Sequence, residues 1–170
     1  MLIRFWQYGT GTEDASSCGQ KGDTEEGRLH MEEKIDVQKL IGQAMGARTK
    51  AYAPYSEYQV GAALLSAQGR VYPGCNIENA SYGATVCAER VAFFRAVQEG
   101  EREFQAIAIV GGKKGEVPEG FAYPCGICRQ VMKEFCKEDF MIIVAKSIDE
   151  YEVSTLGELL PHGFGGDCIV

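Results

Sequence analysis

A chain of 170 residues, of which 45% are hydrophobic, is long enough to fold as one domain around one core. Its formal net charge of −7 argues against binding to a nucleic-acid backbone, which generally requires a basic face. No apolar run approaches the roughly 18 residues of a membrane span, so the sequence predicts no membrane association.

The seven cysteines are an odd number, so they cannot all pair within the chain. A Cys-x-x-Cys spacing without a secretion signal favours metal binding in a reducing compartment, and we therefore expect a cytoplasmic protein.

The first 30 residues differ in composition from the rest of the chain. Residues 9–27 are rich in glycine, serine, threonine and acidic residues and show neither a helical nor a strand period. We interpret residues 1–30 as a disordered extension, or as sequence upstream of a true start at Met31. The alternative is a targeting or partner-binding tail, in which Phe5 and Trp6 would be a hydrophobic hook. The folded domain would comprise residues 31–170.

Hydrophobic periodicity predicts helices and strands in alternation along this domain. The helices are expected at residues 33–52, 87–99, 125–136 and 155–160, and the strands at 58–66, from 71 onward, 104–110, 141–145 and 151–155. Residues 111–120 are predicted to form a surface loop. Gly61, inside the first strand, indicates that another element packs closely against it. This alternation predicts an α/β fold with helices on both faces of a sheet.

Three cysteines and one glutamate form a candidate metal site. Cys125 and Cys128 are separated by two residues at a predicted helix start, so both sulfurs can reach one ion, and Cys87 supplies a third. Three protein ligands with an open position are typical of a catalytic zinc. Glu89 follows the first ligand by two residues and would exchange a proton with a zinc-bound water.

Simpler interpretations of the same residues remain open. Cys-x-x-Cys alone also occurs in redox pairs and in structural zinc sites. A structural zinc would need a fourth ligand, for which the candidates are Cys75, Cys136, His162 and Cys168. Glu89 by itself would be an ordinary acidic residue in the first turn of a helix.

Cys87-Ala88-Glu89 followed by Pro124-Cys125-x-x-Cys128 resembles the signature of the zinc nucleoside deaminases. The flanking segments, from about residue 33 to about residue 165, are similar to the small homotetrameric cytidine deaminases. They include Ala53-Pro54-Tyr55-Ser56, Val60-Gly61-Ala62-Ala63-Leu64, Gly74-Cys75-Asn76-Ile77-Glu78-Asn79-Ala80, Cys125-Gly126-Ile127-Cys128-Arg129-Gln130 and Glu158-Leu159-Leu160-Pro161.

The resemblance implies a three-layer α/β/α fold around a mixed five-stranded sheet, with one Zn²⁺ per subunit of a homotetramer. It also implies hydrolysis of cytidine and 2′-deoxycytidine to uridine and 2′-deoxyuridine with release of ammonia, in pyrimidine salvage. Zinc-activated hydroxide would attack C4 of the base while Glu89 protonates N3, with the backbone N–H of Ala88 near the attacked ring.

The resemblance also assigns substrate contacts. Asn76 and Glu78 are implied to bind the ribose, although such residues in a loop usually mark a solvated turn. Tyr58 stands where the family has a phenylalanine beside the base, but an aromatic residue in a strand is equally typical of a core. Tyr82 and Phe164 match aromatics near a neighbouring subunit's site; for Phe164 the alternative is a frayed terminus.

Three thiolates and one Zn²⁺ sum to a charge of −1, which would weaken the metal as a Lewis acid. Helix N-termini at Cys87 and Cys125 would stabilise the thiolates. Arg90 and Arg129 are expected to donate hydrogen bonds to the sulfurs as a second shell, unless they are merely solvated helix charges.

Three other functions remain possible on sequence alone. One is a deaminase of another amino-pyrimidine, such as a nucleoside antibiotic. The second is a deaminase that edits bases in RNA or DNA, which the acidic composition disfavours. The third is a structural zinc module without activity, which predicts a fourth protein ligand.

Overall fold

The computed structural model describes residues 35–166. The predicted extension at residues 1–30 and the terminal Cys168 lie outside this range. The helices are α1 (Val37–Arg48), α2 (Ala88–Gln98), α3 (Gly126–Phe135) and α4 (Leu156–Leu159). The strands are β1 (Tyr58–Ser66), β2 (Val71–Cys75), β3 (Phe104–Lys113), β4 (Met141–Ala145) and β5 (Tyr151–Thr155). Within these residues, no helix has the length and apolar character needed to cross a membrane.

The strands form the predicted mixed sheet of five strands, in the order β2-β1-β3-β4-β5. β3 and β4 are parallel, whereas the other neighbouring pairs are antiparallel. β2, β3 and β4 therefore all end at the edge of the sheet where β1 begins, as the pairing of Tyr58 with Lys113 shows. Loops that leave this edge lead to the N-termini of α2 and α3.

The core lies on both faces of the sheet, because neighbouring side chains of each strand point in opposite directions. One face packs against α1, and its cluster includes Ala63, Ala108 and Ile143. The other face packs against α2, α3 and α4, and its cluster includes Ala62 and Ile109. The predicted three-layer α/β/α architecture is confirmed.

Three predicted boundaries differ from the structure. α1, predicted at residues 33–52, begins at Val37 and ends at Arg48. Asp36 caps its start by accepting a hydrogen bond from the Lys39 N–H. β3 continues to Lys113, so the loop predicted at 111–120 begins only at residue 114. Antiparallel pairing with β1 stabilises this extension, and a strand built from Gly111 and Gly112 has no apolar period that would reveal it.

Two glycines allow helix backbones to approach the sheet closely. A Cβ on Gly61 would lie 2.1 Å from the carbonyl oxygen of Ala44 in α1, which confirms the predicted close packing. A Cβ on Gly74 would lie 2.4 Å from the Ala88 oxygen and 2.5 Å from the Ala92 nitrogen in α2. Because these atoms are backbone, they cannot move aside without displacing a helix.

The guanidinium of Arg48 holds the start of the loop that leads to α3. Its Nε donates to the Gln59 oxygen at 3.2 Å, and Nη2 donates to the oxygens of Lys113 at 2.6 Å and Glu116 at 3.0 Å. One side chain at the end of α1 thus joins β1, β3 and the following loop.

We expect Gly74→Ala to lower the free energy of unfolding by about 3 kcal/mol, because the added methyl group overlaps two backbone atoms of α2. Urea unfolding followed by circular dichroism measures this change. Gly42→Ala is the control, since a Cβ there meets nothing within 4 Å. The control should be as stable as wild type, or more stable by up to about 1 kcal/mol. Equal stability of Gly74→Ala and wild type would contradict the close-approach argument.

Candidate metal centre and active site

Three thiol groups converge beyond the edge where β2 and β3 end. Cys87 is the N-cap residue of α2, Cys125 is the N-cap residue of α3, and Cys128 lies in the first turn of α3. The Cys125 sulfur lies 3.9 Å from that of Cys87 and 3.5 Å from that of Cys128. All three sulfurs lie within 4.8 Å of one another. Folding therefore brings together the ligands predicted from two separate segments.

The sulfur spacing fits a tetrahedral zinc ion. Zn–S bonds of about 2.3 Å at the tetrahedral angle place two sulfurs about 3.8 Å apart, and the observed distances of 3.5 and 3.9 Å lie on either side of that value. Among residues 35–166, the group able to hold a metal consists of these three cysteines. Cys75, Cys136 and His162 do not belong to it, and Cys168 lies outside the described residues. Three protein ligands, as found among the described residues, are typical of a catalytic zinc, whereas a closed structural site has four.

Positive potential from the backbone and from Arg90 surrounds the thiols. The helix N-termini at Cys87 and Cys125 direct unpaired N–H groups and positive dipole ends toward negative sulfur, as predicted. Nη2 of Arg90 lies 3.5 Å from the Cys87 sulfur and donates to the Thr85 oxygen at 3.0 Å.

Arg129 contributes differently from the sequence prediction. Its Nε donates to the Pro124 oxygen and its Nη1 to the Leu159 oxygen, each at 2.7 Å. Its hydrogen bonds within residues 35–166 thus go to carbonyl oxygens and not to sulfur. The reason is geometric: the side chain spans from the loop before Cys125 to the end of α4 and fixes the ligand through its backbone.

The pKa values of Cys87 and Cys128 are shifted in opposite directions. A hydrogen bond from Cys128, together with one from Arg90, lowers the pKa of Cys87 to about 5, against the opposing effect of burial. The same hydrogen bond to Cys87, followed by burial, raises the pKa of Cys128 far above its usual range. Of these two groups, Cys87 is thus the one that favours the thiolate form, and Cys128 is the one that retains its proton. Three thiols this close together fit a divalent cation, which binds thiolates and displaces their protons.

Glu89 lies in the first turn of α2 and is buried, with 5% of its surface exposed. Burial raises the pKa of its carboxyl group to about 6, opposed by hydrogen bonds from its own N–H and from the Cys128 thiol. The carboxyl group therefore faces the thiol cluster. This location excludes the simple interpretation of Glu89 as an exposed residue of a helix start.

Backbone bridges bring the candidate sugar-binding loop beside the metal ligands. Ile77 and Val86 exchange two N–H···O bonds of 2.9 and 3.0 Å. Val86 immediately precedes Cys87, and Ile77 lies between Asn76 and Glu78. Ala88, the first residue of α2, follows on the same segment, and its N–H is among those that a helix start leaves unpaired.

Asn76 is buried, and its amide bonds to β1. Its Oδ1 accepts from the Val60 N–H at 2.8 Å, and its Nδ2 donates to the Tyr58 oxygen at 2.9 Å. Each amide atom retains capacity for one further hydrogen bond. Asn76 thus aligns the start of β1 and retains polar capacity for a ligand.

The half-buried carboxylate of Glu78 accepts three hydrogen bonds from the turn before β1. They come from the N–H of Tyr55 at 2.9 Å, the N–H of Ser56 at 3.3 Å and the Ser56 hydroxyl at 2.5 Å. The sequence predicted no role for Ser56, although this residue lies in the segment Ala53-Pro54-Tyr55-Ser56. A serine two residues before Tyr58 was the available signal, because a serine hydroxyl often accepts a hydrogen bond from the backbone N–H two residues later.

The three candidate aromatics are all exposed in the isolated chain. The Tyr58 ring borders Gly111, where a Cβ would lie 3.1 Å from it. Tyr82 is 75% exposed and packs edge-on against Tyr55. Phe164 is 57% exposed, and its backbone oxygen accepts a hydrogen bond from Gln130 of α3 at 2.8 Å.

Comparison with known proteins identifies the family. Residues 34–144 match the model of the cytidine and deoxycytidylate deaminase zinc-binding region, a range that contains all three thiol ligands. The chain is 47% identical over 130 residues to cytidine deaminase from Sporosarcina psychrophila, an alignment that covers 76% of this chain and 92% of that protein. It is 50% identical over 130 residues to the Halalkalibacterium halodurans cytidine deaminase, covering 76% and 95%.

Solved structures agree with this assignment. A crystal structure of cytidine deaminase from Burkholderia pseudomallei superposes with a TM-score of 0.70 at 46% identity, covering 76% of this chain and all of that one. The thiol geometry and the extent of these matches support the same conclusion. The chain belongs to the cytidine deaminase family, and its three thiols are the family's zinc-binding site.

Proposed function

We propose that this protein hydrolyses cytidine and 2′-deoxycytidine to uridine and 2′-deoxyuridine with release of ammonia. The observation that carries the proposal is a buried carboxyl group, that of Glu89, placed against three thiols whose spacing fits zinc. A structural zinc module would have no need to bury a carboxyl group there.

The chemistry divides between the metal and this side chain. Zinc held by Cys87, Cys125 and Cys128 supplies, when bound, a water of lowered pKa as the nucleophile for C4 of the base. Glu89 would accept a proton from the attacking water and deliver it to ring N3. The same carboxyl group would then take the proton of the hydroxyl group formed on C4 and pass it to the amino group, which leaves as ammonia. In our proposal the N–H of Ala88, which the start of α2 leaves unpaired, orients the base.

The substrate class follows from the loop beside the metal. Asn76 and Glu78 bind the sugar of a nucleoside in our proposal, with Tyr58 beside the base. A carboxylate at the sugar also repels a phosphate group, so nucleotides bind poorly. The net charge of −7 supports action on a small uncharged molecule and not on a nucleic acid.

We further propose that the enzyme works as a homotetramer in which neighbours complete each site. Tyr82 and Phe164 support this, because both rings are exposed in the isolated chain. The activity fits pyrimidine salvage in a reducing cytoplasm, since the zinc ligands are unpaired thiols.

Zinc content provides the first test. Wild type should contain about one zinc ion per chain, whereas Cys128→Ala should contain almost none, because two thiolates hold the ion too weakly. Metal analysis of the purified proteins measures this. Cys136→Ala, at the other end of α3, is the matched control and should retain zinc. Full zinc content in Cys128→Ala would show that this cysteine is not a ligand.

Removal of the proton-transfer group should abolish turnover without loss of metal. We expect Glu89→Gln to lower kcat for cytidine by at least about 100-fold with zinc retained, because the amide cannot accept the proton. The fall in absorbance on deamination measures the rate. Glu99→Gln, exposed at the end of the same helix, should remain as active as wild type. Comparable turnover in Glu89→Gln and wild type would exclude the proposed role.

Substrate comparison distinguishes a nucleoside deaminase from a nucleotide deaminase. Wild type should deaminate cytidine and 2′-deoxycytidine, and kcat/KM for 2′-deoxycytidine 5′-monophosphate should be at least about 100-fold lower, as expected for an unfavourable charge pair near the sugar. Efficient turnover of the monophosphate would contradict the assignment. Turnover of neither nucleoside by folded, zinc-loaded protein would contradict the proposed function itself.

A further inference from the structure

The hydroxyl of Ser56 connects the two residues proposed to contact the two halves of the substrate. It donates to Oε1 of Glu78 and accepts from the N–H of Tyr58 at 3.0 Å. We propose that Ser56 is a positioning residue that sets selectivity for the sugar by holding the Glu78 carboxylate toward its 3′-hydroxyl. This inference rests on the proposed function.

The direction of these hydrogen bonds is determined by their chemistry. An ionised carboxylate only accepts and a backbone N–H only donates, so the single proton of the Ser56 hydroxyl must point to Glu78. The Ser56 hydroxyl, followed by the Tyr55 N–H, also lowers the pKa of Glu78, which keeps it ionised. Ser56 is therefore an oriented link between a charged group and the start of β1.

The remaining acceptor capacity of Glu78 lies on one particular oxygen. Oε2 accepts from two backbone N–H groups, those of Tyr55 and Ser56, which uses both of its lone pairs. Oε1 accepts only the Ser56 hydroxyl among these donors and retains one lone pair. A sugar hydroxyl that binds this carboxylate would donate to the oxygen that Ser56 orients.

The turn is also conformationally strained, which indicates that its geometry is maintained by these contacts. Glu57, between Ser56 and Tyr58, has a φ of 55°, in the left-handed region that non-glycine residues rarely adopt. Its carbonyl oxygen accepts from the Lys114 N–H at 2.8 Å. The Ser56 hydroxyl bridges Glu57, from the Glu78 carboxylate to the backbone N–H of Tyr58, and so fixes the carboxylate relative to the start of β1.

The test compares two substrates that differ only in the 3′-hydroxyl, 2′-deoxycytidine and 2′,3′-dideoxycytidine. In Ser56→Ala, kcat/KM for 2′-deoxycytidine should fall about tenfold, mainly through KM, as expected when a hydrogen bond to a charged group is lost. For the dideoxy analogue it should change less than about twofold, because that substrate makes no contact with Oε1. Ser56→Thr keeps the hydroxyl and should restore wild-type selectivity.

Ser66→Ala is the matched control, because that hydroxyl also accepts a backbone N–H but at the opposite end of β1. It should leave the selectivity unchanged. Equal losses for both substrates in Ser56→Ala, or no loss for either, would overturn the inference while leaving the proposed function intact. A wild-type protein that deaminates neither 2′-deoxycytidine nor cytidine would overturn both.

Discussion

The close contact between α2 and the β1–β2 hairpin at Gly74 is the constraint on which the site depends. The atom that a side chain at this position would displace first is the carbonyl oxygen of Ala88. Ala88 lies between the metal ligand Cys87 and the buried Glu89, so the absence of one Cβ determines where both functional groups point. The opposite face of the hairpin uses Gly61 in the same way to admit α1. The same contact that packs α2 against the sheet therefore also positions Cys87 and Glu89.

Two helix N-termini then meet at one point and create the electrostatic environment that three thiolates require. Backbone dipoles and Arg90 stabilise negative sulfur, but without a cation the protons remain shared between Cys87 and Cys128. A zinc ion held by Cys87, Cys125 and Cys128 would remove this conflict and join the starts of α2 and α3, so that metal binding would also stabilise the fold. Arg129 supports the same arrangement from a distance by bonding the backbone before the second ligand motif.

The fold and the ligand set were largely predictable from the sequence, because both depend on local signals. Periodicity located the five strands and the four α-helices of the described residues. The cysteine spacing, together with the resemblance to the zinc deaminases, identified the metal ligands. The exceptions are informative. The strand extension through Gly111 and Gly112 arises from pairing with β1, which no local pattern encodes. Arg129 resembles a sulfur-binding arginine by its position in a motif, yet its hydrogen bonds go to carbonyl oxygens that only folding brings near.

The sequence by itself determined which residues are candidates for the chemistry: three thiols, a glutamate two residues after the first of them, and a polar loop before them. The tertiary structure decided how these groups act. It buried Glu89, engaged the amide of Asn76 in aligning β1, and placed the Ser56 hydroxyl between Glu78 and Tyr58. The physical reason is that residue identity and spacing specify donors and acceptors, whereas burial, hydrogen-bond direction and pKa depend on neighbours that are distant in the chain.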